Sequence, residues 1–196
     1  MTGRGRGSVD LLLASTSPQR RAILTQLGIP FRVVTPAYDE EPLALAPRAL
    51  VEAHSRGKAC SVDRAPGELV LGVDTVVVID GEVLGKPADE EGASAMLGRL
   101  SGREHAVCSG LTIVDDDGVE TASDETLVRF RTLAEPAIEG YLAVGEWRGR
   151  AGAYAIQERG AMLVSGITGD YLNVVGLPVA LLVRMLERRG LHGDSR

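Results

Sequence analysis

The chain has 196 residues, 44% of them apolar and 24% charged, and a net charge of −6. A chain of this length and balance folds as one domain that buries roughly 70% of its unfolded surface, which excludes intrinsic disorder, collagen and a disulfide framework as descriptions of the whole. An acidic chain has no general attraction for a polyanion, so a nucleic-acid polymer is not expected as a partner. A phosphate-bearing ligand must be met by a local basic cluster or a metal.

Residues 1–8 are basic and rich in glycine, and the apolar run that follows is too short for a signal-peptide core. They are expected to form a flexible tail, with one domain over 9–190 and a C-terminal tail over 191–196. Val9–Ser15 reads as a short buried strand. Ser17 and Pro18 look like a helix start, an N-cap serine followed by proline at the first helical position, and Gly28 is a good stop. Phe31–Val34 reads as a second strand. The acids Asp39, Glu40 and Glu41 follow, and 48–60 reads as a helix with Leu50, Val51 and Ala53 inward and Arg48, Glu52 and Arg56 outward.

Leu69–Ile79 is a strongly β-branched run, broken by Gly72 and by Asp74-Thr75. Asp80-Gly81 is a hairpin signal, with Glu82–Leu84 as the return strand. A helix is expected over 89–100 with Ala93, Met96, Leu97 and Leu100 inward, then a strand over Ala106–Val114. Asp115-Asp116-Asp117-Gly118 is a solvated turn rather than a calcium loop, which needs more ligands and a glycine at its sixth position. Glu125–Arg131 reads as a strand, and Thr132–Val144 as a helix opened by a Thr132/Glu135 capping box. Residues 149–161 have the Gly/Ala content of a loop, Met162–Ile167 reads as a strand, Gly169-Asp170 as a turn, and Pro178–Arg189 as an amphipathic helix. This order predicts an α/β domain around a mixed, twisted central sheet. No apolar stretch approaches the ~20 residues of a membrane span. The two cysteines, Cys60 and Cys108, have no metal-binding spacing and read as free thiols of a reducing compartment, so a cytoplasmic protein is expected.

Four segments carry chemistry. The first is Ser15-Thr16-Ser17-Pro18-Gln19-Arg20 at a strand-to-helix turn. A helix N-terminus presents unpaired N–H groups, and hydroxyls with an arginine beside it make an anion site. From the spacing alone an ordinary capped helix with surface arginines is the favoured reading, and no Walker A pattern is present. The second is Asp74-Thr75 inside an apolar strand. A carboxylate there must be paired, bound to a metal or open to a cleft. Lys86 follows twelve residues later across the hairpin, so a structural Asp–Lys ion pair stands beside the functional reading. The third is Asp39-Glu40-Glu41, a solvated loop unless Asp74 holds a hard cation that wants a second carboxylate. The fourth is Gly152–Ala161, where small residues allow close backbone approach to a planar ligand and Gln157 carries a donor and an acceptor suited to a nucleobase edge. His54, His105 and His192 fall into no triad pattern.

Taken together and in this order, these segments resemble the Maf family of nucleoside triphosphate pyrophosphatases. The resemblance rests on Leu13-Ala14-Ser15-Thr16-Ser17-Pro18 with Arg20, on Gly72-Val73-Asp74-Thr75-Val76-Val77, on Gly85-Lys86-Pro87 and on Ser101-Gly102. It continues through Ala151-Gly152-Ala153-Tyr154 with Ile156-Gln157 and Gly169-Asp170-Tyr171 with Asn173-Val174-Val175-Gly176-Leu177-Pro178. It covers nearly the whole chain. It implies an elongated two-lobed α/β fold with a cleft, related to the inosine triphosphatases, and a homodimer. The implied reaction is hydrolysis of a nucleoside triphosphate to the monophosphate and pyrophosphate with magnesium or manganese. The family is linked to removal of surplus or non-standard nucleotides and to arrest of cell division.

The resemblance also implies roles. Asp74 matches the proton acceptor and Glu40 an acidic position that helps hold the metal, with Asp74 itself as an alternative ligand. Lys58 and Lys86 match phosphate-binding lysines, with Lys86 at the reacting centre, and Ser15, Ser17 and Arg20 match the triphosphate cradle. Gln19, Thr75 and Gln157 fall at positions that tune base selectivity. Thr75 and Gln157 side with the dTTP/UTP branch rather than the one acting on 7-methyl-GTP, whereas Gln19 departs from the usual Ser-Pro-Arg-Arg and Glu158 stands where glycine is common. A nucleotide sensor that inhibits septum formation, with little catalysis, is the alternative outside enzymology.

Overall fold

The computed structural model describes residues 10–191. The basic tail expected over 1–8, Val9, and residues 192–196 of the expected C-terminal tail lie outside the described residues. Strand β1 (Leu11–Ala14) is apolar at every position and buried on both faces. It lies parallel to β2 (Phe31–Val34) on one side and to β3 (Leu69–Ile79) on the other. β4 (Glu82–Leu84) folds back on β3 through the Asp80-Gly81 turn. β5 (Glu104–Asp115) pairs antiparallel with β3, β6 (Gly118–Phe130) with β5, and β7 (Val164–Thr168) with β6. The result is a mixed seven-stranded sheet in the order β2-β1-β3-β5-β6-β7, with β4 beside β3. The expected mixed α/β sheet is the one observed.

Helices α1 (Pro18–Gln26), α2 (Pro47–Cys60), α3 (Glu90–Leu100), α4 (Glu135–Leu142), α5 (Tyr171–Val175) and α6 (Val179–Glu187) surround it. Two apolar cores form along the long β3–β5 ladder. One gathers Leu13, Leu24, Leu71, Leu111 and Leu182, and the other Val77, Leu97, Val107, Phe130 and Tyr141. A third, smaller cluster joins α2 to the opposite face of β1 and β3 through Leu12, Ala59 and Val70. Among the described residues no helix is long and apolar enough to cross a membrane.

Several elements depart from their sequence expectation. The strand read as Glu125–Arg131 begins at Gly118, because residues 119–125 are held by β5 rather than by an apolar stripe. Thr121 pairs its hydroxyl with that of Thr112 at 2.9 Å. α4 begins at Glu135, so Thr132 is no cap. The stretch before it is extended and bonded to neighbours, with the Leu133 N–H donating to Ser101 Oγ at 2.7 Å. Gly169-Asp170, read as a turn, opens a helix too short to show a period: Asp170 accepts from the Leu172 N–H at 2.8 Å and caps α5. The inward face of α2 is Val51, His54, Ser55, Lys58 and Ala59, not Leu50 and Ala53. The cause lies in β3 and β5. Their glycines, Gly72 and Gly110, let the backbone of α2 rest directly on the sheet. A Cβ at Gly72 would stand 2.3 Å from the Ser55 carbonyl oxygen, and one at Gly110 2.1 Å from that of Val51.

The second core contains a buried imidazole. His105 Nε2 meets the Tyr154 hydroxyl at 2.9 Å, Phe130 packs edge-on at 5.0 Å, and Nδ1 has no partner. Burial pulls the His105 pKa down to about 4, from an ordinary value of 6.5. The folded state therefore holds His105 neutral while the unfolded chain takes a proton as pH falls below 6.5. The stability is fully present above pH 6.5 and is lost progressively towards pH 4. It amounts to roughly 3 kcal/mol at about 1.4 kcal/mol per unit. In urea unfolding at a series of pH values, His105→Asn is expected to flatten that window relative to the parent protein. Parallel curves would show that other groups set the acid limb.

Candidate active site

The site begins as an interruption of the sheet. β1 pairs with β3 only as far as Ala14 opposite Gly72, and β4 takes up the same edge only from Leu84 opposite Val77. Residues Val73–Val76 of β3 are left with an open edge beyond the C-terminal end of a parallel strand, the usual place for a ligand in an open α/β sheet. Asp74 and Thr75 occupy this notch. They alternate across the strand, so Asp74 turns towards α2 and Thr75 towards the other face, and both line one cavity of about 350 Å³. That volume suits a small-molecule ligand.

Asp74 is 6% exposed and buried lysine meets it: Lys58 Nζ lies 2.7 Å from Asp74 Oδ1. The same ammonium stands 2.7 Å from Glu40 Oε1. One lysine thus bridges two carboxylates from elements far apart in sequence. This corrects the Asp74–Lys86 ion pair weighed from the sequence: the partner of Asp74 is Lys58. Lys86 lines the cavity two residues beyond β4. Partial burial pushes the Glu40 carboxyl up, but the hydrogen bond from Lys58 and the charges of Lys58, Lys86 and His54 outweigh it, so Glu40 lies below the usual carboxylate range. Tyr38, two residues before Glu40, has its hydroxyl 3.0 Å from His54 Nδ1 on α2, which ties the acidic loop to the helix that carries Lys58. Asp39 and Glu41 do not line the cavity.

The opposite wall comes from the turn after β1. The Ser17 N–H donates to Ser15 Oγ at 3.2 Å. Ser17 is the N-cap residue of α1 with Pro18 following, as expected, but its side chain makes no capping bond and its hydroxyl donates instead to Gln19 Oε1 at 3.1 Å. Arg20 then joins three elements. Its Nε donates to the Gly176 carbonyl at 2.9 Å, Nη1 to Ser15 Oγ at 3.0 Å and Nη2 to Thr75 Oγ1 at 3.3 Å. Thr75 is held in turn by Ser109 at 2.8 Å. Burial lowers the Arg20 pKa below the ordinary arginine value, and the charges of Asp74 and Glu40 oppose the shift. All the acceptors of Arg20 are neutral, so its charge is unspent.

The structure therefore brings Ser15, Ser17, Gln19, Arg20, Glu40, Lys58, Asp74, Thr75, Lys86 and Gln157 to one cavity. Gln157 is exposed at its rim. Sequence reasoning missed Arg150 and the Gly176 carbonyl. Arg150 stands alone before a Gly/Ala stretch and offers no pattern, and a backbone carbonyl leaves no mark in a sequence. The lining cations are Arg20, Lys58, Lys86 and Arg150, against the carboxylates Asp74 and Glu40. A chain of net charge −6 has concentrated positive charge here, as an anion site requires.

The carboxylates also bear on metal binding. Among the described residues no three His, Cys, Asp or Glu side chains stand together as a cage. Asp74 Oδ1 and Glu40 Oε1 both meet the Lys58 ammonium, which leaves Asp74 Oδ2 and Glu40 Oε2 as the oxygens for a hard dication of the magnesium type, a cation that needs only one or two protein carboxylates and completes its shell with phosphate oxygens and water. The aspartates at the β5–β6 turn are otherwise engaged, Asp115 by Arg189 and Asp116 by Arg64.

Known proteins share this arrangement of sequence. The family model for Maf-like protein matches residues 10–189. The dTTP/UTP pyrophosphatase of Symbiobacterium thermophilum is 51% identical over 183 residues, 92% of this chain and 94% of its own. That of Pelotomaculum thermopropionicum is 45% identical, over 93% of this chain and 98% of its own, and that of Pyrococcus abyssi 42%, over 90% and 95%. The structure of the Staphylococcus aureus Ham1 protein aligns with 62% of this chain and 71% of its own at a TM-score of 0.44 and 12% identity, a likeness too slight to carry an inference. With a family match across nearly all of the described residues and relatives at this level of identity, the chain belongs to the Maf family.

Proposed function

We propose that this protein is a nucleoside triphosphate pyrophosphatase that hydrolyses dTTP and UTP to the monophosphate and pyrophosphate. The observation that carries the reading is the convergence of Asp74, Lys58 and Glu40 with Arg20 and Lys86 at the notch in the sheet. The relatives named dTTP/UTP pyrophosphatase support the substrate. The substrate carries about four negative charges, which repel a nucleophile until cations neutralise them. Arg20 is preset for this, since its three neutral acceptors fix the guanidinium without cancelling its charge. Lys86 adds an exposed ammonium at the cavity wall.

In the proposed step a water attacks the α-phosphorus, the bond to the oxygen bridging the β-phosphate breaks, and pyrophosphate departs with that oxygen. Asp74 takes the proton of the attacking water. Its Oδ1 is held by Lys58, so Oδ2 is the oxygen left to face water. A divalent cation, magnesium or manganese, held by Glu40 would supply further neutralisation of the phosphates, with Asp74 Oδ2 kept for the proton. Excess chelator is expected to abolish turnover and added magnesium to restore it. Full turnover in chelator would remove the metal from the reading.

Gln157 presents a donor and an acceptor, the complement of the uracil or thymine imide edge. Gln157→Glu keeps the acceptor and loses the donor, so it is expected to lower kcat/KM for UTP more than tenfold relative to that for 7-methyl-GTP. An unchanged ratio would rule out base reading by Gln157. The test of the whole reading is a nucleotide panel with magnesium, assayed for pyrophosphate and orthophosphate. Rapid pyrophosphate release from dTTP and UTP is expected. Orthophosphate would overturn the bond assignment, a preference for 7-methyl-GTP would overturn the base assignment, and binding without either product would identify a nucleotide sensor.

A further inference from the structure

One cation of the cavity has no part in the steps above. Arg150 precedes the short 3₁₀ turn Ala151–Ala153 and lines the cavity. Among the described residues three buried side-chain polar atoms lack a hydrogen-bond partner, and Arg150 Nε is the one that belongs to a cavity-lining residue. Its single carboxylate neighbour among the described residues is Glu158, with Nη2 and Oε1 3.8 Å apart, too far for a hydrogen bond. Arg20 in the same cavity donates from all three of its nitrogens. The side chain is 25% exposed, so its outer nitrogens can reach water, but a buried Nε–H without an acceptor is costly unless a ligand completes it. Position narrows the ligand. The Gly152 N–H donates to the Gly85 carbonyl at 3.1 Å, which stitches the segment carrying Arg150 to the one carrying Lys86. Two cations with no carboxylate within hydrogen-bond distance among the described residues thus come from one part of the wall, and a planar guanidinium is the side chain best matched to phosphate oxygens.

We propose that Arg150 binds the pyrophosphoryl part of the substrate, exchanging its loose contact with Glu158 for phosphate oxygens. The proposal rests on the pyrophosphatase reading for its substrate, but its test does not need turnover. Inorganic pyrophosphate and UMP, each with magnesium, are titrated calorimetrically into the full-length protein and its variants. Arg150→Gln is expected to weaken pyrophosphate binding roughly tenfold or more, as for loss of a charge-assisted contact, and to leave UMP binding within about threefold, the scatter of context effects. Arg150→Lys recovers part of the loss. Glu158→Gln removes the competing carboxylate and is expected to tighten pyrophosphate binding. The melting temperature of Arg150→Gln is expected to equal or exceed that of the parent, because the lost N–H was unsatisfied; a purely structural arginine would lower it. Unchanged pyrophosphate affinity in Arg150→Gln, a loss confined to UMP, no pyrophosphate binding by the parent protein, or weaker binding in Glu158→Gln each overturns the proposal. Failure of the pyrophosphatase reading shows separately, as a parent protein that binds pyrophosphate and releases none from any nucleotide.

Discussion

Asp74→Asn is expected to lower turnover about a thousandfold while leaving nucleotide binding intact or tighter. The asparagine is isosteric, so it keeps an oxygen for Lys58 and does not disturb β3. What it loses is the capacity to take a proton, and a positioned general base contributes roughly 10²–10⁴-fold to rate. Lys58 is not stranded by the change, because Glu40 stays 2.7 Å away and balances its charge. Removing a negative charge from the cavity also eases the approach of a polyanion. Pyrophosphate release measures the first effect, and titration with a non-hydrolysable α,β-methylene analogue of UTP measures the second. Turnover within tenfold of the parent would take Asp74 out of proton transfer. Lost analogue binding would make it a binding residue instead.

Gly110→Ala is expected to cost about 3 kcal/mol of stability, the upper part of the usual range for overpacking, and to impair turnover in the protein that still folds. Gly110 stands opposite Asp74 in the β3–β5 ladder. The new Cβ would meet the Val51 carbonyl oxygen at 2.1 Å and its carbon at 2.4 Å. These are backbone atoms of α2, so no side chain can swing aside. The helix must lift by an ångström or more, and it carries Lys58 away from Asp74 as it lifts. Urea unfolding and pyrophosphate release are the paired measurements. Gly98→Ala is the control, since nothing lies within 4 Å of its added methyl on the exposed side of α3 and it should be neutral or slightly stabilising. Equal stability of the two variants would mean that α2 does not rest on the sheet as described.

The two expectations share one physical basis. The ion pair at the notch exists because a helix lies unusually close to the sheet, and it lies close because two strand positions lack side chains. In the sequence, Gly72 and Gly110 read as interruptions of good strands, a cost in local propensity. In the fold they are the condition for burying Lys58 beside Asp74. Tyr38 bonds to the same helix through His54, anchoring the loop that brings Glu40 to the same ammonium.

Much of the architecture was legible residue by residue. β1, β2 and β3 are short or β-branched apolar runs bounded by turn residues, and α3 and α6 bury the positions their 3.6-residue period selects. Such segments announce themselves because their own side chains decide what they bury. The first half of β6 did not, since its polar residues alternate no apolar face and only the β5 ladder holds them extended. Nor did α5, which is a single capped turn. The site divided in the same way. Asp74 was conspicuous as a carboxylate in an apolar strand, and the Ser15–Arg20 turn as a hydroxyl-rich helix start. Lys58 reads as a surface lysine by pattern, and Arg150 has no pattern. Sequence alone determined strand, helix and turn where a segment's own side chains decide what it buries, and which side chains carried unexplained charge, because both are local properties. Tertiary structure alone decided which charges would meet. A buried ammonium is stable only where opposite charge reaches it, and here that charge arrives from a loop and a strand on either side of α2 in the chain.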